Sequence, residues 1–309
     1  MGRIRKDALD LEFLPETSKV KFKGPKRISY YSTYFDENYE VVYCSDKSSL
    51  KYLVSTELDE PLGCAEGCNP ESDISSLSSR WSDFMRWIGE NDEMIKGPTT
   101  KGDSKLQFNF ICTNKELKYL MLSCYEANDW VIHAFRTRRE IFLYLAEKNI
   151  IEDKIESKPQ YNPKRSNKMR YARFNVLRKI TKAIEERETN SNTERDMLNT
   201  VSLSQIGQHR ILHTGYTEFV MSKDDVDKPI DQANFAALKL MHNLYGKYGD
   251  FNISFYRHMY WWASALVSGV KPLSVEILIR ILLFVNWMCF QPVCLTEKLN
   301  MSGKNVSLL

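Results

Sequence analysis

Tyr- and Val-rich runs that alternate with polar residues open the chain. Ile28 to Tyr34 and Tyr39 to Cys44 flank Asp36-Glu37-Asn38, which predicts a strand–turn–strand unit. Ser48 to Val54 follows, and then a Gly-, Pro-, Ser- and Cys-containing loop from Glu57 to Ser79. The period then lengthens. Trp81, Phe84, Met85 and Ile88 recur at helical spacing and predict an amphipathic helix over Ser79–Asn91. After a turn over Gly97–Asp103, Leu106 to Cys112 alternates as a strand, and Lys115 to Cys124 reads as a helix with Leu117, Leu120 and Met121 on one face. Trp130 to Phe135 and Ile141 to Leu145, joined by Arg136-Thr137-Arg138-Arg139, predict a β-hairpin.

The second half mixes the two periods again. Lys164 to Lys182 holds eight basic residues and no acidic one, and Met169, Phe174, Leu177, Ile180 and Ile184 supply an apolar stripe, so it reads as a basic amphipathic helix. Glu185 to Asp196 is polar and reads as a loop. His209–Met221 and Asn234–Leu240 predict short strands around an acidic, Pro-containing turn. Phe251 to Val267 predicts a helix with Phe255, Met259, Trp262 and Leu266 inward and Gly269 as its stop. Val275 to Phe290 is apolar but carries Glu276, Arg280 and Asn286, which favours a buried helix over a membrane span. Helices and strands so interleaved predict an α/β (α+β) protein.

Composition narrows this picture modestly. With 43% hydrophobic and 12% aromatic residues the chain is a folding sequence, and its formal net charge of +3 means that affinity for a polyanion has to come from local clusters of Lys and Arg. The seven cysteines are scattered, which suits a reducing compartment. Cys64 and Cys68 form the one close pair, without a second pair at zinc-finger spacing. The start Met1-Gly2-Arg3-Ile4-Arg5-Lys6 has no apolar run behind it, so no signal peptide is expected, nor a membrane partner, and a nuclear or cytoplasmic protein is.

Two strands joined by a turn, with an acid on the first and a Lys on the second, form the skeleton of many metal-dependent nucleases. Carboxylates hold the hard cation, the cation neutralises a phosphodiester, and the Lys orients the attacking water. Glu218 offers the acid, and Lys239 follows Ala237 and Leu238 on the second strand. Lys239 sits in a mostly apolar strand and needs an anionic neighbour, either Glu218 or an RNA phosphate. The basic helix, through residues such as Arg170 and Arg173, could track a phosphate backbone or simply present a solvated face. His209 and His213 are read as a non-metal pair.

These elements together resemble the DXO decapping-exoribonuclease family over about residues 24–270. Lys26-Arg27-Ile28-Ser29-Tyr30-Tyr31-Ser32 followed by Asp46 to Tyr52 is similar to that family's opening segment, and Trp81 to Asn91 to its first helix. Tyr125-Glu126 before Trp130 and the hairpin resembles its Pro-Tyr-Glu region. Gly215 to Glu218 resembles its Gly-Glu-hydrophobic-Asp motif, and Ala237 to Lys239 its Glu-hydrophobic-Lys motif. Ser254 to His258, Trp261-Trp262-Ala263 and Gly269-Val270 resemble a further family helix, which makes the paired Trp scaffold. The resemblance implies two mixed β-sheets that form a cleft flanked by helices, with a nuclease-like core spanning residues 28–290 between a basic tail (1–27) and a second tail (291–309). It also implies a C-terminal part shorter than the family's, so that a missing strand would leave an unpaired sheet edge. Family members bind RNA 5′ ends in the cleft, remove incomplete or non-standard caps with the help of Mg²⁺ or Mn²⁺, and often degrade the RNA behind them.

At each site motif the sequence departs from the pattern. The family's Arg falls at about Asn114. The Glu of its second motif falls within Tyr171–Val176, near Asn175. Tyr216 and Ala237 replace two further Glu residues, and Ser264 replaces a substrate-contacting Gln. Glu218, the Leu238 carbonyl and Lys239 are what remains of the metal and catalytic set, and Asn114, Arg170, Arg173, Lys239 and Ser264 are the candidate RNA contacts. The expectation is an RNA 5′-end-binding protein with impaired or lost catalysis, whose partners would be RNA and an RNA-processing protein. The alternatives are an active nuclease with a rearranged site, drawing on Asp224, Asp225, Asp227 and Asp231 in the turn, or an interaction scaffold without RNA.

Overall fold

The computed structural model describes residues 21–36, 38, 40–54, 80–96, 108–123, 130–137, 140–146, 163–184, 196–242, 251–277 and 283–286; within these, 96, 163–170, 240–242, 251–258, 271–277 and 283–286 are described by their backbone alone. The loop over Glu57–Ser79, the Cys64–Cys68 pair, Tyr125-Glu126 and both tail ends lie outside the described residues.

A long first strand, β1 (Phe22–Phe35), pairs antiparallel with β2 (Val41–Cys44), as the alternation predicts, although the strand opens at Phe22 rather than Ile28. On its other side β1 pairs with β8 (Met197–Ile206), a strand the sequence pattern does not reveal. The reason is chemical: Asn199, Thr200, Ser202 and Ser204 are all buried, so polar residues stand where an inward-facing strand is expected to be apolar. Their hydroxyl and amide groups find internal partners. Thr200 Oγ1 donates to the Gly215 carbonyl (3.3 Å) and Asn199 Nδ2 to Thr33 Oγ1 (3.3 Å), which makes the burial tolerable.

The sheet continues through β9 (His209–Thr217), β4 (Phe110–Thr113), β6 (Glu140–Leu145) and β5 (Ile132–Thr137), in the order β2-β1-β8-β9-β4-β6-β5. Parallel and antiparallel pairs mix, since β4 runs parallel to both β9 and β6. Alternation along the strands sends Ile111 and Leu212 to one face, where they meet Phe84 and Trp87 of α1 (Trp81–Glu90). Cys112 and Ile211 go to the other, beneath α3 (Asn114–Leu122) and α5 (Phe251–Ser268). A short α2 (Asp92–Lys96) follows α1. Helix faces are set a little differently from expectation. Trp87 is buried while Met85 is exposed, Leu122 is buried while Leu120 is exposed, and along α5 the small residues Ala263 and Ala265 pack inward beside Met259 and Val267.

The second sheet is built from β3 (Lys51–Leu53), β7 (Thr181–Ala183), β10 (Phe219–Val220), β11 (Phe235–His242), β12 (Lys271–Ile277) and β13 (Leu283–Asn286). Its order is β13-β12-β11-β10-β3-β7, and it is also mixed. The basic helix is α4 (Pro163–Ile180), which presses Ala172, Val176, Leu177 and Ile180 onto Phe219, Ala236 and Leu238. The buried-helix expectation for Val275–Phe290 is corrected where the backbone is described: Val275–Ile277 ends β12 and Leu283–Asn286 forms β13. Strand β12 pairs parallel with β11 over seven residues, so the edge expected to be unpaired is covered. A short apolar run does not distinguish a strand from a buried helix by period alone, and here the partner strand decides.

Arg27 ties the layers together. Its guanidinium lies 4.6 Å from the centre of the Phe235 ring and donates through Nη2 to the carbonyls of Ser268 (3.2 Å) and Gly269 at the end of α5. A cation there complements the negative helix end. Gly269 takes φ +62, as its place after the helix predicts.

Candidate functional site

One chain segment crosses from sheet to sheet. Strand β9 ends at Thr217, paired with Leu198 in the first sheet, and β10 begins at Phe219, paired with Ala236 in the second. Glu218 is the residue at the crossing. It therefore sits at the floor of a chamber of about 740 Å³ between the sheets, whose lining includes Asn114, Arg173, Tyr216, Ala237, Lys239 and Ser264. Six of the sequence-predicted positions thus converge around Glu218. Asn175 is not among the lining residues; it accepts a hydrogen bond from Arg178 (3.2 Å) on the outer side of α4. The Arg170 side chain lies outside the described residues.

Both oxygens of the Glu218 carboxylate carry donors. Arg173 Nη2 donates to Oε1, Tyr216 Oη donates to the same oxygen at 3.1 Å, and the Leu238 N–H donates to Oε2 at 2.7 Å. Arg173 also donates to Tyr216 Oη (3.1 Å), which closes a triangle of three side chains. The Glu218 side chain is 4% exposed and Arg173 27%. Although Tyr216 is 40% exposed overall, desolvation of its hydroxyl first, and the Glu218 charge second, push the phenol up to about 12, so it stays protonated and donates. The Leu238 backbone reaches this site through its N–H, and its side chain is core. Ala237 supplies no oxygen side chain.

Asn114 is held in a separate network. His213 is fully buried, and burial lowers its imidazole to about 3, so it is neutral. Its Nδ1 lies 2.5 Å from Asn114 Oδ1 and its Nε2 2.8 Å from Ser204 Oγ, which assigns the proton to Nδ1 and makes Ser204 the donor to Nε2. Asn114 Nδ2 donates to Ser268 Oγ (2.9 Å). A methyl group at Gly215 would overlap the Asn114 amide, so the glycine leaves room for this side chain. His209, by contrast, is exposed and meets Phe110 edge-on (5.5 Å), so the two histidines share no site.

The wall opposite carries cations that the sequence reading overlooks. Lys118 on α3 lies over the Tyr260 ring of α5, with Nζ 3.9 Å from its centre. Burial, and then the nearby charge of Lys239, lower its pKa to about 8. Burial likewise lowers that of Lys239, offset in part by Glu218. The signal for α3 was present in Thr113-Asn114-Lys115-Glu116, a capping box. Glu116 is consumed by it: it accepts from Thr113 N (2.8 Å), Thr113 Oγ1 (2.5 Å) and Leu145 N (2.9 Å). Of the acidic turn, Asp224, Asp227 and Asp231 are exposed. Asp225 is buried, with Lys228, Ser222 and Asn234 as its donors, and none of the four lines the chamber.

Comparison with known proteins places this architecture. The model of the RAI1-like PD-(D/E)XK nuclease family matches residues 23–275. No curated protein matches the sequence. Among solved structures, Candida albicans Rai1 in complex with pU5 and Mn²⁺ superposes with a TM-score of 0.64 at 13% identity, covering 94% of this chain and 77% of that one. Scheffersomyces stipitis Rai1 with (3′-NADP)⁺ and a calcium ion gives 0.57 at 16% identity, covering 93% and 75%. S. pombe Rai1 gives 0.58 at 14% identity, covering 96% and 83%. With a family model that takes in most of its length and the two-sheet fold those structures share, the chain belongs to the RAI1-like PD-(D/E)XK nuclease family.

Proposed function

We propose that the protein binds RNA 5′ ends in the inter-sheet chamber and that its metal-dependent hydrolysis is impaired or lost. The state of Glu218 carries this reading. Divalent cations of the kind held by the family need several oxygens at close range. Here the carboxylate at the expected position has a guanidinium, a phenol and a backbone N–H on it, and Ala237 offers nothing. This donor set does not fit Mg²⁺ or Mn²⁺. The turn acids face solvent or are engaged elsewhere, and among the described residues no group of three His, Cys, Asp or Glu could hold a metal ion. Cooperating catalytic groups removed together cost orders of magnitude in rate.

Binding is supported by what remains. The chamber keeps Lys239, Lys118, Arg173 and Ser264 on its lining, and solved relatives of this fold hold a short RNA or a dinucleotide. An RNA held but not cut would make the protein a competitor or scaffold for RNA-processing factors in the nucleus or cytoplasm.

The test is to incubate the purified chain and RNAs bearing triphosphate, unmethylated-cap or NAD ends with Mg²⁺ or Mn²⁺. Retention of every RNA in salt-sensitive complexes, without cap release or shortening, is expected. Product formation that disappears in Lys239→Ala would overturn the loss of catalysis. Absence of binding at low salt would leave an interaction scaffold without RNA.

A further inference from the structure

Charge in the chamber is unbalanced in a way that catalysis by a metal does not explain. Lys51, Arg80, Lys115, Lys118, Arg173 and Lys239 line it, against Glu116, Asp196 and Glu218. Glu116 is committed to the cap of α3, and Glu218 to Arg173. Arg80 is paired with Asp83 (2.8 Å) and Lys51 donates to the Asp196 carbonyl (3.1 Å). Among the described residues, Lys118 and Lys239 have no carboxylate within ion-pair distance. Arg173 reaches Glu218 and Tyr216 through Nη2, and among the described residues its Nε and Nη1 meet no acceptor.

Two ammonium groups close enough to feel each other, beside a fixed guanidinium, form an arrangement that costs stability unless an anion enters. An ion pair would hold Arg173 in one place, much as coordination holds a metal. A phosphoryl group suits such a lining, because it offers three acceptor oxygens to donors that reach one chamber from different elements, here α3, α4 and β11.

Resting on the reading of the chamber as an RNA 5′-end site, we propose that Arg173 stands in for the divalent ion, and that Arg173, Lys118 and Lys239 together form a metal-independent binding site for a phosphoryl anion. Lys118 is its distinguishing residue, because it belongs to neither the carboxylate motif nor the Lys239 strand. The low pKa of Lys118 accords with a cation awaiting a counter-charge. The shared ligand chemistry, a terminal phosphate or pyrophosphate, could come from an RNA end or from a free phosphorylated compound.

Calorimetric titration of the full chain with inorganic pyrophosphate in EDTA tests this directly. One site is expected. Its affinity should fall at least tenfold in Lys118→Met and Lys118→Gln and be largely retained in Lys118→Arg, with thermal melts confirming that each variant is folded. Absence of binding in EDTA, binding that appears only with Mn²⁺, or equal affinity in the folded Lys118 variants would overturn the proposal. A second arm compares 5′-monophosphate and 5′-hydroxyl RNAs of one sequence in EDTA. Preference for the phosphate in the wild type, lost in Lys118→Met, places the anion on RNA. Pyrophosphate binding without RNA binding assigns the site to a free phosphate compound and retires the RNA reading while this one stands. RNA binding without phosphate preference or pyrophosphate binding does the reverse.

Discussion

At the chamber floor Glu218 is 4% exposed and accepts from Arg173, Tyr216 and the Leu238 N–H. On the wall, Lys118 has an aromatic face beneath it and, among the described residues, no carboxylate. One region is electrostatically closed and the other open. The difference shows how one chamber can hold a buried acid on an internal cation and still leave positive charge over. At the floor an internal cation makes the acid part of the structure; under the proposed function the surplus positive charge on the wall is what meets RNA.

The largest effect is expected at the floor. Arg173→Met leaves a buried carboxylate with neutral donors only and should cost about 3 kcal/mol in urea denaturation. Adding Glu218→Gln should recover most of that loss, and additive costs in the double-mutant cycle would show the pair to be uncoupled. Next comes Gly215→Ala, which drives Asn114 off His213 and should cost about 2 kcal/mol. The penalty should shrink in an Asn114→Ala background, and an unchanged penalty would place the strain elsewhere. Arg27→Met removes the guanidinium from the α5 carbonyls and should cost about 1.5 kcal/mol, read as a lower melting temperature.

The smallest effect sharpens the wall. Lys118 has a folded pKa of about 8, below its ordinary 10.5. Below pH 8 it is charged in both folded and unfolded states, and its burial destabilises the fold. From about 8 to 10.5 the folded protein releases the proton first, so stability rises with pH, and above both values the penalty is gone. Lys118→Met should therefore be more stable than wild type by about 1 kcal/mol at pH 7, with the gain shrinking towards pH 10.5. A gain independent of pH would mean that the ammonium is solvated.

Much of the architecture is legible from period alone. The β1–β2 and β5–β6 hairpins, α1, α3, α4 and α5 all form where alternation or helical spacing puts them. Strand β8 is not legible, because its buried Asn, Thr and Ser residues invert the usual pattern and are satisfied only by distant partners such as Thr33 and Gly215. Nor is β13, whose apolar run reads equally as a helix until β12 is there to pair with it. The motif positions Glu218, Tyr216, Ala237 and Lys239 all line one chamber. What the order cannot convey is that Arg173, read as a candidate RNA contact on the basic helix α4, pairs with Glu218. In the helix register it lies next to the buried Ala172, and only the packing of α4 on Phe219 decides that it meets Glu218. Lys118 is missed for a similar reason, because its cavity exists only once α5 lies across α3.

Mn²⁺ titration of the purified full chain, followed by the loss of the free-ion electron spin resonance signal, tests the central claim most directly. The account predicts no stoichiometric uptake in the micromolar range, by wild type or by Glu218→Gln. Uptake of one or two Mn²⁺ per chain that vanishes in Glu218→Gln would contradict it.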